Sequence, residues 1–228
     1  MKEFHKKEFK VALKDSIAVF MGYMVLGFSF GLITVSSGFS PFVAIAMSVF
    51  IYAGALQFLA ISLLKAKAGF LELFVAGISV NIRQIFYGLS LLKQFKKTKG
   101  LKSYLIFALT DETYALLTSK DIDTKFNQKW YLFYISLLHH IYWISGTALG
   151  AILGAKINFN SKGIEFALTA LFVVLAIEQF KKSRDFMLII IASISAIIAL
   201  LISKDNMLVI AIAISLVLII LRKGFKGE

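Results

Sequence analysis

The sequence predicts an all-α protein, a polytopic transmembrane helix bundle of about eight (7–8) membrane segments. Three observations predict it. Of the 228 residues, 59% are hydrophobic, more than a soluble domain of this size carries throughout. Several apolar runs reach the roughly 18 residues needed to cross about 30 Å of hydrocarbon. No stretch shows the short alternation of a membrane β-barrel.

Residues 1–14 carry Lys2, Lys6, Lys7, Lys10 and Lys14 without the apolar core of a secretory signal. Phe4, Val11 and Leu13 set against these lysines predict an amphipathic helix lying on the anionic cytoplasmic leaflet. A single transmembrane domain, 15–221, follows, and 222–228 is a basic tail. Within the domain the apolar segments fall at 15–35, 42–64, 70–92, 102–119, 131–155, 164–180, 186–203 and 207–221, joined by short polar connections.

Segment one holds Gly22, Gly27 and Gly31, then Ser36-Ser37-Gly38 ahead of Pro41. This is either a broken helix whose freed N–H groups could hold a carboxylate or a flexible helix end. In segment two, Gly54 between Ala53 and Ala55 permits close backbone approach, and Gln57 offers both a donor and an acceptor. That pattern suits a packing face with one interhelical hydrogen bond as well as a binding residue. Segment three places Asn81 and Arg83 near its centre, with Tyr87 one turn beyond Arg83 on the same face. Segment four carries Asp111 and Glu112.

Arg83 lies roughly 15 Å of helix from the Lys93 end of its segment, and Asp111 roughly 14 Å from Lys102. Folded as an antiparallel hairpin, the two segments would bring Arg83 and Asp111-Glu112 to one depth. A charge at mid-bilayer costs several kcal/mol or more unless it meets a partner, a cavity or water. An ion pair pinning two helices is one account, although such pairs need not stabilise. One guanidinium neutralises only one carboxylate, so the second acid is left to face water, a cation, a proton or an amine. Two acids are also the pattern of general acid–base work, but adjacent helical residues point about 100° apart and do not flank one bond.

His139-His140 in segment five suits hydrogen-bonded packing or an interfacial aromatic belt with Tyr142 and Trp143 better than a proton relay. Adjacent histidines on one helix cannot share an ion, so no metal or cofactor is expected. In segment six, Glu178 and Gln179 sit beside Lys181-Lys182 as a solvated charge group, and the last two segments are nearly featureless Ile, Leu and Ala.

The net charge of +12 resides mostly in loops and termini, where basic residues set membrane orientation. No basic surface domain exists to bind nucleic acid. With no cysteine there is no disulfide framework, thiolate metal site or redox dithiol. The lysine distribution puts both termini inside, but Lys93, Lys96, Lys97, Lys99 and Lys102 would then stand outside. One re-entrant or broken segment would relieve the conflict. A faint repeat also runs through the chain: Gly27-Phe-Ser-Phe-Gly31 is echoed by Gly146-Thr-Ala-Leu-Gly150, and Ala55-Leu-Gln57-Phe58 by Ile177-Glu-Gln179-Phe180. Two halves, 15–120 and 131–221, would follow, with a binding site between them.

Tyr52-Ala-Gly-Ala-Leu-Gln-Phe, Asn81-Ile-Arg-Gln-Ile-Phe-Tyr and Thr110-Asp-Glu-Thr-Tyr, in that order and spacing, resemble the AzlC family of branched-chain amino acid permeases over about residues 10–180. The resemblance implies a cytoplasmic (inner) membrane exporter of branched-chain or similar apolar amino acids. It also implies a small hydrophobic partner of the AzlD type, with both subunits needed for transport. An amino acid zwitterion needs an anion site, a cation site and a side-chain pocket. Arg83 can grip its carboxylate in two places. Asp111 or Glu112 can take the ammonium, with Gln57, Asn81 and Tyr87 completing the hydrogen bonds and Phe58 and Phe86 as walls. The other acid would carry a proton. Two rivals stand beside transport: a scaffold subunit whose charges dock a partner, and an intramembrane enzyme using Asp111, Glu112 and His139, for which no nucleophile or metal is visible.

Overall fold

The structure, a computed structural model, describes residues 5–96, 98, 100–119, 127–156, 173, 177, 180, 184–203 and 207–226. The expected segment 164–180 and its echo motif lie outside the described residues apart from 173, 177 and 180. Every regular element among the described residues is a helix: α1 (Lys6–Asp15), α2 (Ile17–Ser36), α3 (Pro41–Phe50), α4 (Gly54–Lys65), α5 (Phe70–Ser90), α6 (Leu92–Lys96), α7 (Lys102–Phe107), α8 (Asp111–Ser119), α9 (Gln128–Lys156), α10 (Phe186–Ile202) and α11 (Met207–Lys226). The chain divides into two compact units, Met1–Lys65 with Val80–Ser161 and Ala66–Ser79 with Lys162–Glu228. Among the described helices, α2 and α5 are long and apolar enough to cross a membrane by length and composition.

The first unit is built on α2 and α9, which run side by side in the same direction. Their contact is backbone on backbone. A Cβ added to Gly27 would fall 2.8 Å from the Trp143 carbonyl oxygen, and one on Gly146 would fall 2.8 Å from that of Met24. Gly31 against Thr147 and Gly150 against Phe28 are closer still. The two echoed glycine motifs therefore face each other, and their missing side chains are what allow the approach. The helix end at Ser36–Pro41 is an ordinary one. Gly38 takes φ 93°, its N–H bonds to the Val35 carbonyl and that of Phe39 to Thr34, the Schellman closure. Pro41 then opens α3 at the first helical position. These closing bonds take up the N–H groups of Ser37, Gly38 and Phe39.

Segments two and four differ from the sequence reading. Each is a pair of half-helices that folds back on itself. Tyr52, at φ 44°, breaks the first pair. The Gln57 amide of α4 then donates to the Ser48 hydroxyl of α3 at 3.1 Å. Nine residues of straight helix would separate those positions by roughly 14 Å, so α4 must return along α3. In the second pair, α7 climbs along α9, with Tyr104 against Phe133 and Phe107 against His140. After the break at 108–110, α8 descends, and Leu117 rejoins Leu105 in one apolar cluster with Leu132 and Ile135. The two tips meet beside His140. The Tyr52 ring lies 4.2 Å from it and 6.3 Å from that of Phe107.

That same cluster holds Ala12 of α1, Leu91, Phe95 and Tyr131. The basic connection after α5 therefore lies at the end of the unit that carries α1. α1 is fastened there to the start of α9: His5 stacks on Trp130, and the Asn127 N–H donates to Glu8 Oε1 at 3.0 Å. This bond holds the Glu8 carboxyl below its usual range. Lys6, Lys7, Lys10 and Lys14 remain exposed beside Phe9 and Leu13, the amphipathic pattern expected of an interfacial helix.

In the second unit, α10 and α11 pack as neighbours, joined by an ion pair from Arg222 to Asp185 at 2.6 Å. Asp185 also caps α10 by accepting from the Met187 N–H. Large apolar side chains stand open along α10, with Leu201 82% exposed. Apolar exposure on this scale is what a lipid-embedded helix shows and a water-soluble one avoids. Helices alone among the described residues, with this apolar exposure, are consistent with a membrane helix bundle.

Candidate functional site

Thr110 sets up the site. Its hydroxyl accepts the N–H of Thr113 at 3.3 Å, the N-cap bond that starts α8 immediately after the hairpin tip. Asp111 and Glu112 consequently occupy the first helical turn, where the helix dipole favours anions.

Asp111 meets the expected partner. Arg83 Nη2 lies 2.8 Å from Asp111 Oδ2, with the two side chains 41% and 38% exposed. The geometry of approach is not the antiparallel one. Tyr87 stacks on Tyr114 at 4.3 Å, and the Tyr114 hydroxyl donates to Ser90 at 3.2 Å, so α8 runs along α5 in the same direction. The pair is left unsaturated, because Arg83 Nε and Asp111 Oδ1 are buried and hydrogen-bond to no described residue. Tyr87, one turn beyond Arg83 on α5, is brought against α8 by its stacking on Tyr114. Asn81 is half-buried two residues before Arg83.

Glu112 turns another way. It is exposed, yet its Oε2 accepts from the buried Tyr23 hydroxyl at 2.7 Å. Tyr23 Oη is 2.6 Å from Thr110 Oγ1, Thr110 Oγ1 is 3.0 Å from Thr113 Oγ1, and Thr113 Oγ1 is 2.8 Å from His139 Nδ1. The two acids therefore serve separate networks.

Gln57 is not brought to the ion pair. It is fully buried, donates to Ser48 and accepts from Trp143 Nε1 at 3.0 Å. Ser48 donates onward to Thr147 at 2.9 Å. Gly54 leaves room for the Trp143 ring, whose nearest carbon would be 3.0 Å from a Cβ there. The Tyr52–Phe58 motif thus builds and closes the first hairpin. Phe58 is buried against Phe30, while Phe86 stands exposed, so the two do not form one wall. His140 spans Tyr104 and the Ser48 carbonyl through its two ring nitrogens.

His139 is different: it is buried at 0% exposure with Nε2 unpartnered among the described residues. Sequence assigns Tyr23, Thr110 and Thr113 to no site and favours packing over a proton relay for His139. The one available signal was Thr110 followed by two acids, a helix-start pattern inside an apolar run. No group of three or more metal-binding side chains occurs among the described residues.

Comparison with known proteins bears on this arrangement. Residues 18–157 match the family model described as AzlC protein. An uncharacterized membrane protein of Helicobacter pylori is 44% identical over 179 residues, covering 78% of each chain. The branched-chain amino acid transport protein AzlC of Bacillus subtilis is 35% identical over 176 residues, 77% of this chain and 69% of that one. The inner membrane protein YgaZ of Escherichia coli is 30% identical over 189 residues, 78% and 75% of the two chains. No solved structure matches the chain significantly.

Proposed function

The chain belongs to the AzlC family, and we propose on that footing that it exports branched-chain or similar apolar amino acids across the cytoplasmic membrane. A membrane transport role follows from the family and from its Bacillus subtilis relative, a branched-chain amino acid transport protein. The finer reading is carried by one observation, the unsaturated Arg83–Asp111 pair. A guanidinium and a carboxylate held together, each with a free inner atom, form a mould for a zwitterion. Arg83 takes the substrate carboxylate, Asp111 its ammonium, and Tyr87 and Asn81 the remaining hydrogen bonds. Glu112, engaged elsewhere, is the acid available to couple export to a proton gradient. Gln57 acts by holding the first hairpin closed.

In this reading the two hairpins enter from opposite sides and are not full crossings. The end of the first unit bearing α1, Lys93, Lys96 and Lys102 faces the cytoplasm, in keeping with the rule that basic residues stay inside. The facing glycine motifs of α2 and α9 support a two-half organisation. A small hydrophobic membrane protein of the AzlD type completes the transporter.

Efflux of labelled leucine and valine from cells expressing the chain tests this reading. Arg83→Ala and Asp111→Asn are expected to abolish efflux at normal protein level. Unchanged efflux at normal level removes the pair from the site. Loss of partner assembly in Arg83→Ala would favour a scaffold role.

A further inference from the structure

The hydroxyl chain from Glu112 to His139 has a fixed direction. Tyr23 Oη has one proton and gives it to the Glu112 carboxylate. Its bond to Thr110 must then be donated by Thr110. Thr110 having spent its proton, Thr113 donates to it. Thr113 in turn can only accept from His139 Nδ1. Each threonine or tyrosine hydroxyl supplies one donor, so a carboxylate that accepts from Tyr23 orients every bond behind it. The imidazole is thereby held as the Nδ1–H tautomer, and its Nε2 carries the free lone pair. That nitrogen is buried and unpartnered among the described residues. Leaving a buried acceptor unsatisfied is costly, and a histidine kept for packing alone would avoid that, as His140 does with both ring nitrogens engaged. Tyr52, buried at the first hairpin tip, packs its ring 4.2 Å from that of His140, the sequence neighbour of His139. The other groups facing the chain are Tyr142 on α9 and the Arg83–Asp111 pair beside Glu112.

We propose that His139 and Glu112 are the two ends of a proton path through Thr113, Thr110 and Tyr23, and that this path couples transport to the proton gradient. The proposal rests on the transport reading above. A proton reaches His139 Nε2, the imidazolium releases the proton on Nδ1 to Thr113 Oγ1, and each hydroxyl passes its own proton forward. Tyr23 delivers one proton to Glu112 Oε2. One proton has then moved and the hydroxyls are intact, but His139 is left as the Nε2–H tautomer. The chain resets when Glu112 gives up its proton, the hydroxyls rotate back and the imidazole returns to the Nδ1–H form by a ring flip. His139 is a positioning and relay residue and does not touch the substrate.

Membrane vesicles containing the full-length protein, with its small companion where one is present, provide the test. Labelled leucine is followed in two modes, accumulation driven by a pH gradient and exchange at equal pH. His139→Asn, which keeps a group at the Nδ1 position but cannot titrate, is expected to lower driven accumulation about tenfold or more, equivalent to ~1.4 kcal/mol. Exchange should stay near wild type. Thr113→Val should behave in the same way and Thr113→Ser should restore coupling. Equal loss of both modes in His139→Asn and Thr113→Val, or wild-type driven accumulation, overturns the path. Nitrogen-15 spectra of His139 give a second reading that needs no transported substrate. The Nδ1–H tautomer should dominate in the wild type and be lost in Tyr23→Phe; an unchanged tautomer overturns the path. Should the wild type move no apolar amino acid in either mode, the transport reading fails, and the tautomer alone decides the path.

Discussion

Arg83 and Asp111 close an ion pair at 2.8 Å between a helix interior and the first turn of a half-helix that begins at a hairpin tip. Ion pairs of this kind need not stabilise a protein, so replacing both partners together, Arg83→Met with Asp111→Leu, is expected to leave the thermal midpoint in detergent nearly unchanged. Efflux should fall by more than about tenfold in that variant and in Arg83→Ala. Arg83→Lys should not rescue efflux, because an ammonium cannot make the two-pronged contact. A scaffold role predicts the opposite pattern, with efflux following complex assembly.

The crossing of α2 and α9 admits no side chain at Gly150, where a Cβ would run into the Phe28 carbonyl. Gly150→Ala is expected to destabilise the protein by about 1–3 kcal/mol, the cost of overpacking. Gly22→Ala, with nothing within 4 Å of the added carbon, should be neutral or slightly stabilising. Thermal unfolding of the two variants in detergent distinguishes them.

Gln57 bridges Ser48 and Trp143 inside the first hairpin. Gln57→Leu leaves both partners short of a bond, at a cost of about 1–3 kcal/mol. Lower yield and a lower midpoint are expected, and the surviving protein should keep a KM for leucine within about twofold of wild type. A much larger rise in KM would bring Gln57 back to the substrate.

Glu8 holds α1 against the start of α9 through the Asn127 N–H. Its carboxyl sits below the ordinary value of 4.5, first because of that backbone bond. The contribution is thus complete above about pH 4.5 and is lost as pH falls through the lower folded-state value. Hydrogen exchange over residues 6–15 should be slow at neutral pH and accelerate under acid. Glu8→Gln should exchange faster already at neutral pH, with less further change on acidification.

Helix was legible from apolar run length alone, because a backbone in lipid must satisfy its own hydrogen bonds. The meeting of Arg83 with Asp111 was legible too, since helical rise is a local constant that converts residue count into depth. The lysines after α5 stood in conflict with eight full crossings, and a re-entrant or broken segment was the expectation that relieved it. The folding back of 42–64 and 102–119 was not legible, because no proline marks either break, apolar residues run through the first, and the Thr110-Asp111-Glu112 helix start at the second does not by itself say that the chain reverses. Those breaks are held by bonds between distant residues, Gln57 to Trp143 and Tyr23 to Thr110. The division of labour between the two acids was decided in the same way. Sequence put Asp111 and Glu112 side by side, but only the packed structure turned one to Arg83 and the other to Tyr23, because side-chain partners are chosen by three-dimensional proximity and not by spacing along the chain.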